Sequence, residues 1–149
     1  MIIRTLSTLE CTRLLAMHRV AHLACAKDGQ PYVVPVNYAY ADSHLYAFSL
    51  VGKKIEWMRI NPLVSLHIHE PGDGREWRSV VVLGRYEELP GGSGHEGARD
   101  HAWSLLSKHF DWWEPGGLKP DMPPVSDHSP PHVFYRILVE HVSGREAKE

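Results

Sequence analysis

The chain has 149 residues, 16 Lys+Arg against 18 Asp+Glu for a formal net charge of −2, and two cysteines. That length can bury a core without disulfide or metal staples, and the near-neutral balance lacks the clustered positive charge that nucleic-acid binding requires. Polar residues interrupt the apolar stretches, so no segment is expected to span a bilayer; without a signal peptide at its start, the chain is expected to be cytoplasmic and to form one domain over residues 1–149.

Ser7-Thr8-Leu9-Glu10 has the spacing of a capping box and predicts a helix, with Cys11, Leu14 and Leu15 on one face and Leu9, Met17 and Val20 extending it. Val20 to Ala26 reads as a strand, and Asp28-Gly29 turns the chain into the next one. His22 inside that strand is expected to be a satisfied structural histidine. Cys11 and Cys25 form no CxxC pair and read as small buried hydrophobes.

Tyr32 to Tyr40 is dense in β-branched and aromatic residues and reads as one strand; Asp42-Ser43 supplies a turn and Leu45 to Ser49 the second arm of a hairpin. Pro35 lacks a backbone donor, which puts its strand at a sheet edge or bulge. Gly52 then opens a helical segment, Lys53 to Asn61, that Pro62 ends. Two lysines in a first turn oppose the helix dipole unless an anion sits there. A phosphate on Ser49, the first-turn amides, Lys53 and Lys54 satisfies that condition; a solvated lysine pair on a surface helix is the other reading.

Leu63 to Glu70 alternates as a strand, with Leu63, Ser65, His67 and His69 on one face. No third ligand accompanies the two histidines, so a polar or interfacial face is expected and no metal. Glu76 to Leu89 is the longest strand candidate. Its run Val80 to Leu83 predicts cover on both faces, by the core and by a dimer mate or the later helix, and Gly84 predicts a bulge or a close backbone approach. Pro90 to Gly94 reads as a flexible connection, and His95 to Phe110 as an amphipathic helix through Ala98, Ala102, Leu105, Leu106 and His109. Residues 111–131 form a long Pro/Gly loop carrying Trp112 and Trp113, which either anchor it to the core or reach a binding site. Val133 to Val142 is a strong strand, and Arg145 to Glu149 a tail expected to fray.

The order LxxxECxxLL, PYVVPVNY, LYAFS, GKKIEWMRxNPxVSL and WRSVVVLGRYEEL resembles the pyridoxamine 5'-phosphate oxidase-like family, and within it the flavin-binding subgroup that includes nitroimidazole-resistance proteins. The likeness runs from about Leu6 to Leu89, with a weaker echo from His132 to Arg145. It implies a mainly β fold with flanking helices, a six-stranded split β-barrel, and a homodimer with FMN at the interface. By this resemblance Ser49, Lys53 and Lys54 hold the phosphate, and the stretch Val34, Pro35, Val36, Asn37 and Tyr38 lies along the isoalloxazine edge. Phe48 and Gly52 belong to the same set; Trp77, Arg78 and Ser79 come near the flavin of the other subunit, and Trp113 sits beside flavin or substrate.

The implied activity is a flavin-dependent oxidoreductase acting on a small organic molecule, with NAD(P)H as electron donor. The Arg-rich substrate-phosphate signature of pyridoxamine phosphate oxidase itself is not found, because Arg136 and Arg145 stand alone near the C-terminus. No Ser-His-Asp order or paired carboxylates identify a catalytic residue. Two alternatives stay open: a flavin- or haem-binding module without turnover, for which His128, His132 and His141 offer axial ligands, and a deazaflavin-dependent reductase.

Overall fold

The computed structural model describes residues 1–90, 96–108 and 132–149. In chain order these form β1 (Ile2–Thr5), α1 (Thr8–Met17), β2 (Val20–Lys27), β3 (Gln30–Asn37), β4 (Ala39–Ala41), β5 (His44–Leu50), α2 (Lys53–Ile60), β6 (Leu63–Pro71), β7 (Trp77–Glu88), α3 (Glu96–Leu106) and β8 (His132–Lys148). The expected mainly β split barrel with flanking helices is present. Its six long strands, β2, β3, β5, β6, β7 and β8, carry two short additions, β1 and β4.

The strands follow the order β3-β2-β6-β7-β8-β5-β4, with β1 attached to β8, and every ladder is antiparallel. β3 and β4 stand at opposite ends of this path, yet Tyr38 alone separates them in the chain. The sheet therefore curls until its ends meet through the backbone rather than through a ladder. This corrects the reading of Tyr32 to Tyr40 as one hairpin arm: the strand breaks at Tyr38, β3 pairs with β2, and only β4 turns back onto β5. Tyr38 is fully buried, and its N–H donates to the Arg19 carbonyl at 2.9 Å, which carries the β2–β3 register one residue further before the chain leaves β2 for β5.

Local turn chemistry behaves as expected. Asp28-Gly29 and Asp42-Ser43 both take positive φ, 50° and 77° in the first pair and 50° and 61° in the second, the conformation of primed hairpin turns. The capping box is complete: the Glu10 N–H donates to Ser7 Oγ and the Ser7 N–H to the Glu10 carboxylate, each at 3.1 Å. α1 buries Cys11, Leu14 and Leu15, whereas Leu9, Met17 and Val20 are exposed and do not extend that face.

β7 alternates Val80 and Val82, both buried, with Val81 and Leu83, both exposed. Within the chain the run is thus covered on one face only, not two, because no element packs over the outer side of β6 and β7 among the described residues. At Gly84 the register with β8 slips, leaving Glu140 as the extra residue, and β8 exchanges β5 as its second neighbour for β1. A Cβ at Gly84 would stand 2.5 Å from the Leu138 carbonyl oxygen, so the bulge needs glycine for close approach.

The C-terminal tail does not fray. β8 runs to Lys148, with Arg145 opposite both Thr5 and Ser79, and the buried Glu146 accepts from Arg4 Nε at 2.7 Å. Two backbone ladders and a half-buried ion pair outweigh the polarity that marked this segment as a tail. α3 buries Ala102 and Leu106, while Ala98 is exposed and off its packed face. Gly91 to His95 and the segment 109–131, including His109, Trp112, Trp113 and His128, lie outside the described residues. No helix is long and apolar enough to cross a membrane among the described residues.

Candidate functional site

A cavity of about 300 Å³ opens where the edge strand β3, the end of β5 and the start of α2 converge. Pro35, Val36 and Asn37 form one wall, Phe48, Ser49 and Leu50 the other, and Lys54 and Tyr135 complete the lining. Each element arrives there for a local reason. β3 has β2 on one side only, so half its backbone donors and acceptors face away from the sheet, and Pro35 is tolerated at that edge. In β5, Leu45, Ala47 and Ser49 share one face; Ala47 stands directly opposite Tyr135 on β8, and its small side chain leaves the phenol room.

α2 begins at Gly52, which has extended φ and ψ of −161° and −166° and offers no side-chain cap. The first-turn N–H groups are therefore left without a capping side chain at the positive end of the helix. Lys54 adds an ammonium to the same place. It is half-buried, and burial holds its pKa below the ordinary lysine value, with the nearby Cys25 opposing the shift. Among the described residues no carboxylate pairs with it. Cys25 is buried and free, and burial raises its thiol pKa against the pull of Lys54. This end of the cavity is a partly desolvated positive site without a counter-ion among the described residues. Ser49, which is half-buried, donates its hydroxyl to the Leu50 carbonyl at 2.8 Å, a local bond that an acceptor in the cavity can replace.

The two lysines that looked equivalent in sequence diverge. Lys53 lies over the rings of Tyr32 and Trp57, 5.1 and 5.7 Å from their centroids, and does not line the cavity. Of the other expected residues, Val34 packs against the core, Gly52 starts the helix, and Tyr38 is committed to the Leu15 carbonyl at 2.8 Å.

Trp77, Arg78 and Ser79 stand elsewhere in this chain: Trp77 pairs with Ala147, at the opposite end of β8 from Tyr135. Arg78 is ion-paired to Glu70, which also binds His18 Nε2 at 2.7 Å, and the Trp77 ring lies 6.4 Å from that of His69. Trp113 lies outside the described residues.

His22 is exposed rather than a buried structural residue, with its ring 6.0 Å from that of His67 on the outer face of β2 and β6. Among the described residues no three His, Cys, Asp or Glu side chains converge as a metal site. Sequence reasoning missed Leu50 and Tyr135. A tyrosine inside an apolar strand, whose hydroxyl must find a partner if it points inward, was the available signal for the second.

An uncharacterised protein of Rhizobium meliloti (strain 1021) is 49% identical over 147 residues, covering 99% of this chain and 97% of its own length. The crystal structure of a FAD-binding protein from Mesorhizobium loti is 65% identical, covers 99% of this chain and 100% of its own, and superposes with a TM-score of 0.81. A candidate 5-nitroimidazole antibiotic resistance protein from Bacteroides thetaiotaomicron shares the fold, with 18% identity, a TM-score of 0.72, and 98% and 89% of the two chains covered. The family model described as pyridoxamine 5'-phosphate oxidase matches residues 7–146, and this chain belongs to that family.

Proposed function

We propose that this protein binds a flavin in the Lys54 cavity and is a flavin-dependent oxidoreductase acting on a small organic molecule. The observation that carries the reading is the half-buried Lys54 ammonium, without a carboxylate partner among the described residues, beside the uncapped start of α2. Such a site favours a phosphate, and the edge backbone from Pro35 to Asn37 offers hydrogen-bonding groups to a flat ring. When bound, the flavin supplies the electron transfer. The chain's part is to hold and orient it: Lys54, Ser49 and the first-turn amides at the phosphate, β3 along the ring, and Phe48 excluding water.

We assign FMN as the flavin, because one desolvated lysine and one helix start suit a single phosphate monoester. FAD is the competing form, given the FAD-binding protein of Mesorhizobium loti at 65% identity. NADH or NADPH serves as electron donor in this reading. A second copy of the chain is proposed to cover the outer face of β6 and β7, where Leu63, Val81 and Leu83 are exposed among the histidines, and so to complete the site as a homodimer.

The test is an absorption titration of the purified protein with FMN and with FAD, followed by anaerobic NADH and NADPH. Tighter binding of FMN, with bleaching of the flavin bands by a pyridine nucleotide, is expected. Preferred FAD changes the cofactor but keeps the class. Flavin that neither donor reduces turns the reading to a binding module, and a Soret band without flavin uptake to haem. Sedimentation of the loaded protein is expected to report a dimer.

A further inference from the structure

Three buried tyrosines share one core, and the role of one of them rests on the flavin reading above. Tyr38 donates its hydroxyl to the Leu15 carbonyl at 2.8 Å, and Tyr86 donates to the Glu88 carboxylate at 2.7 Å. Tyr135, whose ring lies 5.4 Å from that of Tyr86, is 1% exposed, and its hydroxyl has no hydrogen-bond partner among the described residues. A buried hydroxyl left unpaired costs free energy comparable to a lost hydrogen bond, so its retention calls for a partner. The residue lines the Lys54 cavity, and Cys25 stands near both Tyr135 and Lys54, which places phenol and ammonium around the same thiol. Burial also keeps the phenol neutral, and so a donor, at any ordinary pH.

We propose that the Tyr135 hydroxyl is the second donor of the anion site: it donates a hydrogen bond to a phosphate-type oxygen of the bound ligand, the group whose charge Lys54 balances. A neutral donor and a cation then share one acceptor group from two elements, α2 and β8. Ligand binding thereby ties the helix start to the strand across the cavity. Tyr135 is a binding residue in this arrangement and transfers no proton.

The experiment compares the wild type with Tyr135→Phe, which keeps the ring and removes only the hydroxyl. Thermal unfolding of the ligand-free proteins is measured, together with affinities for FMN, riboflavin and inorganic phosphate. Expected are an unfolding temperature equal to or above that of the wild type, FMN affinity reduced about tenfold, the loss for one hydrogen bond to a charged acceptor, and riboflavin affinity unchanged.

Unchanged FMN affinity in the variant overturns the inference and leaves the flavin reading standing. A ligand-free variant that loses stability while its FMN affinity holds assigns the hydroxyl to the fold and also overturns it. Equal losses for FMN and riboflavin move the bond to the ring and overturn the phosphate assignment. Should the wild type take up no flavin, phosphate decides alone: stabilisation of the wild type that Tyr135→Phe weakens supports the donor role without the flavin, and a wild type that answers to neither probe removes both.

Discussion

The Tyr38 hydroxyl reaches 2.8 Å to the Leu15 carbonyl and so fastens the last turn of α1 to the residue where the strand path returns on itself. That carbonyl belongs to the last helical turn, whose C=O groups have no intrahelical donor of their own, and Tyr38 is the buried residue that separates β3 from β4. One side chain satisfies a helix end and fixes the break in a strand. Tyr38→Phe removes the donor and leaves the carbonyl dry, so it is expected to cost about 1–3 kcal/mol in denaturant unfolding. Its flavin affinity should stay near that of the wild type, since Tyr38 does not line the cavity.

The divergence of the two lysines gives a second prediction. Lys54→Ala removes the ammonium that lines the cavity and is expected to weaken FMN binding about 10- to 100-fold, as for a lost charge-assisted contact. Lys53→Ala gives up a cation–π contact with Tyr32 and Trp57, which at an exposed site is worth about 0.5–1 kcal/mol of stability. It should leave the FMN titration nearly unaltered. Equal losses of affinity from the two variants, followed by flavin fluorescence, would mean that Lys53 swings into the site when ligand arrives.

Gly84 offers a test of the bulge. An added Cβ meets the Leu138 carbonyl oxygen at 2.5 Å and Ile137 Cγ2 at 2.7 Å, and the carbonyl cannot move without shifting β8. Gly84→Ala should therefore destabilise the fold by about 3 kcal/mol, the upper range for overpacking. A variant that unfolds at the wild-type denaturant concentration would show that β8 accommodates the methyl group by moving.

The outer-face histidines predict a pH dependence. Burial first, and then the neighbouring His22 and His69, hold the His67 pKa below its ordinary value of 6.5. The folded chain thus binds this proton less readily than the unfolded chain, and stability falls as the pH drops below 6.5 toward the folded pKa. His67→Gln cannot titrate. Between pH 7.5 and pH 5.5 it should lose less unfolding free energy than the wild type, and parallel curves would assign the acid sensitivity to other groups.

What the residues determined alone is the chemistry that acts within a few positions. Ser7 and Glu10 sit three apart and must meet once a helix starts; Asp28-Gly29 and Asp42-Ser43 turn because positive φ is cheap there; Pro62 follows the end of α2 because its ring opposes a helical residue before it. The family motifs likewise sit on short contiguous stretches, so the split barrel was legible in them, and Ser49, Lys53 and Lys54 stood together as a candidate phosphate cradle.

Only the tertiary structure decided where distant partners lie. Nothing between Tyr32 and Tyr40 marks a break in the β pattern, because the break is a change of partner from β2 to β5, strands on either side of this segment in the chain, with Tyr38 held by Leu15 between them. Arg145 to Glu149 reads as a fraying tail, yet β8 runs on to Lys148 because Thr5 and Ser79 supply backbone partners on both sides of Arg145. Lys53 and Lys54 look alike as neighbours, but one residue of helix rotates them by roughly 100°. That rotation sends the first onto Tyr32 and Trp57 and the second into the cavity with Tyr135.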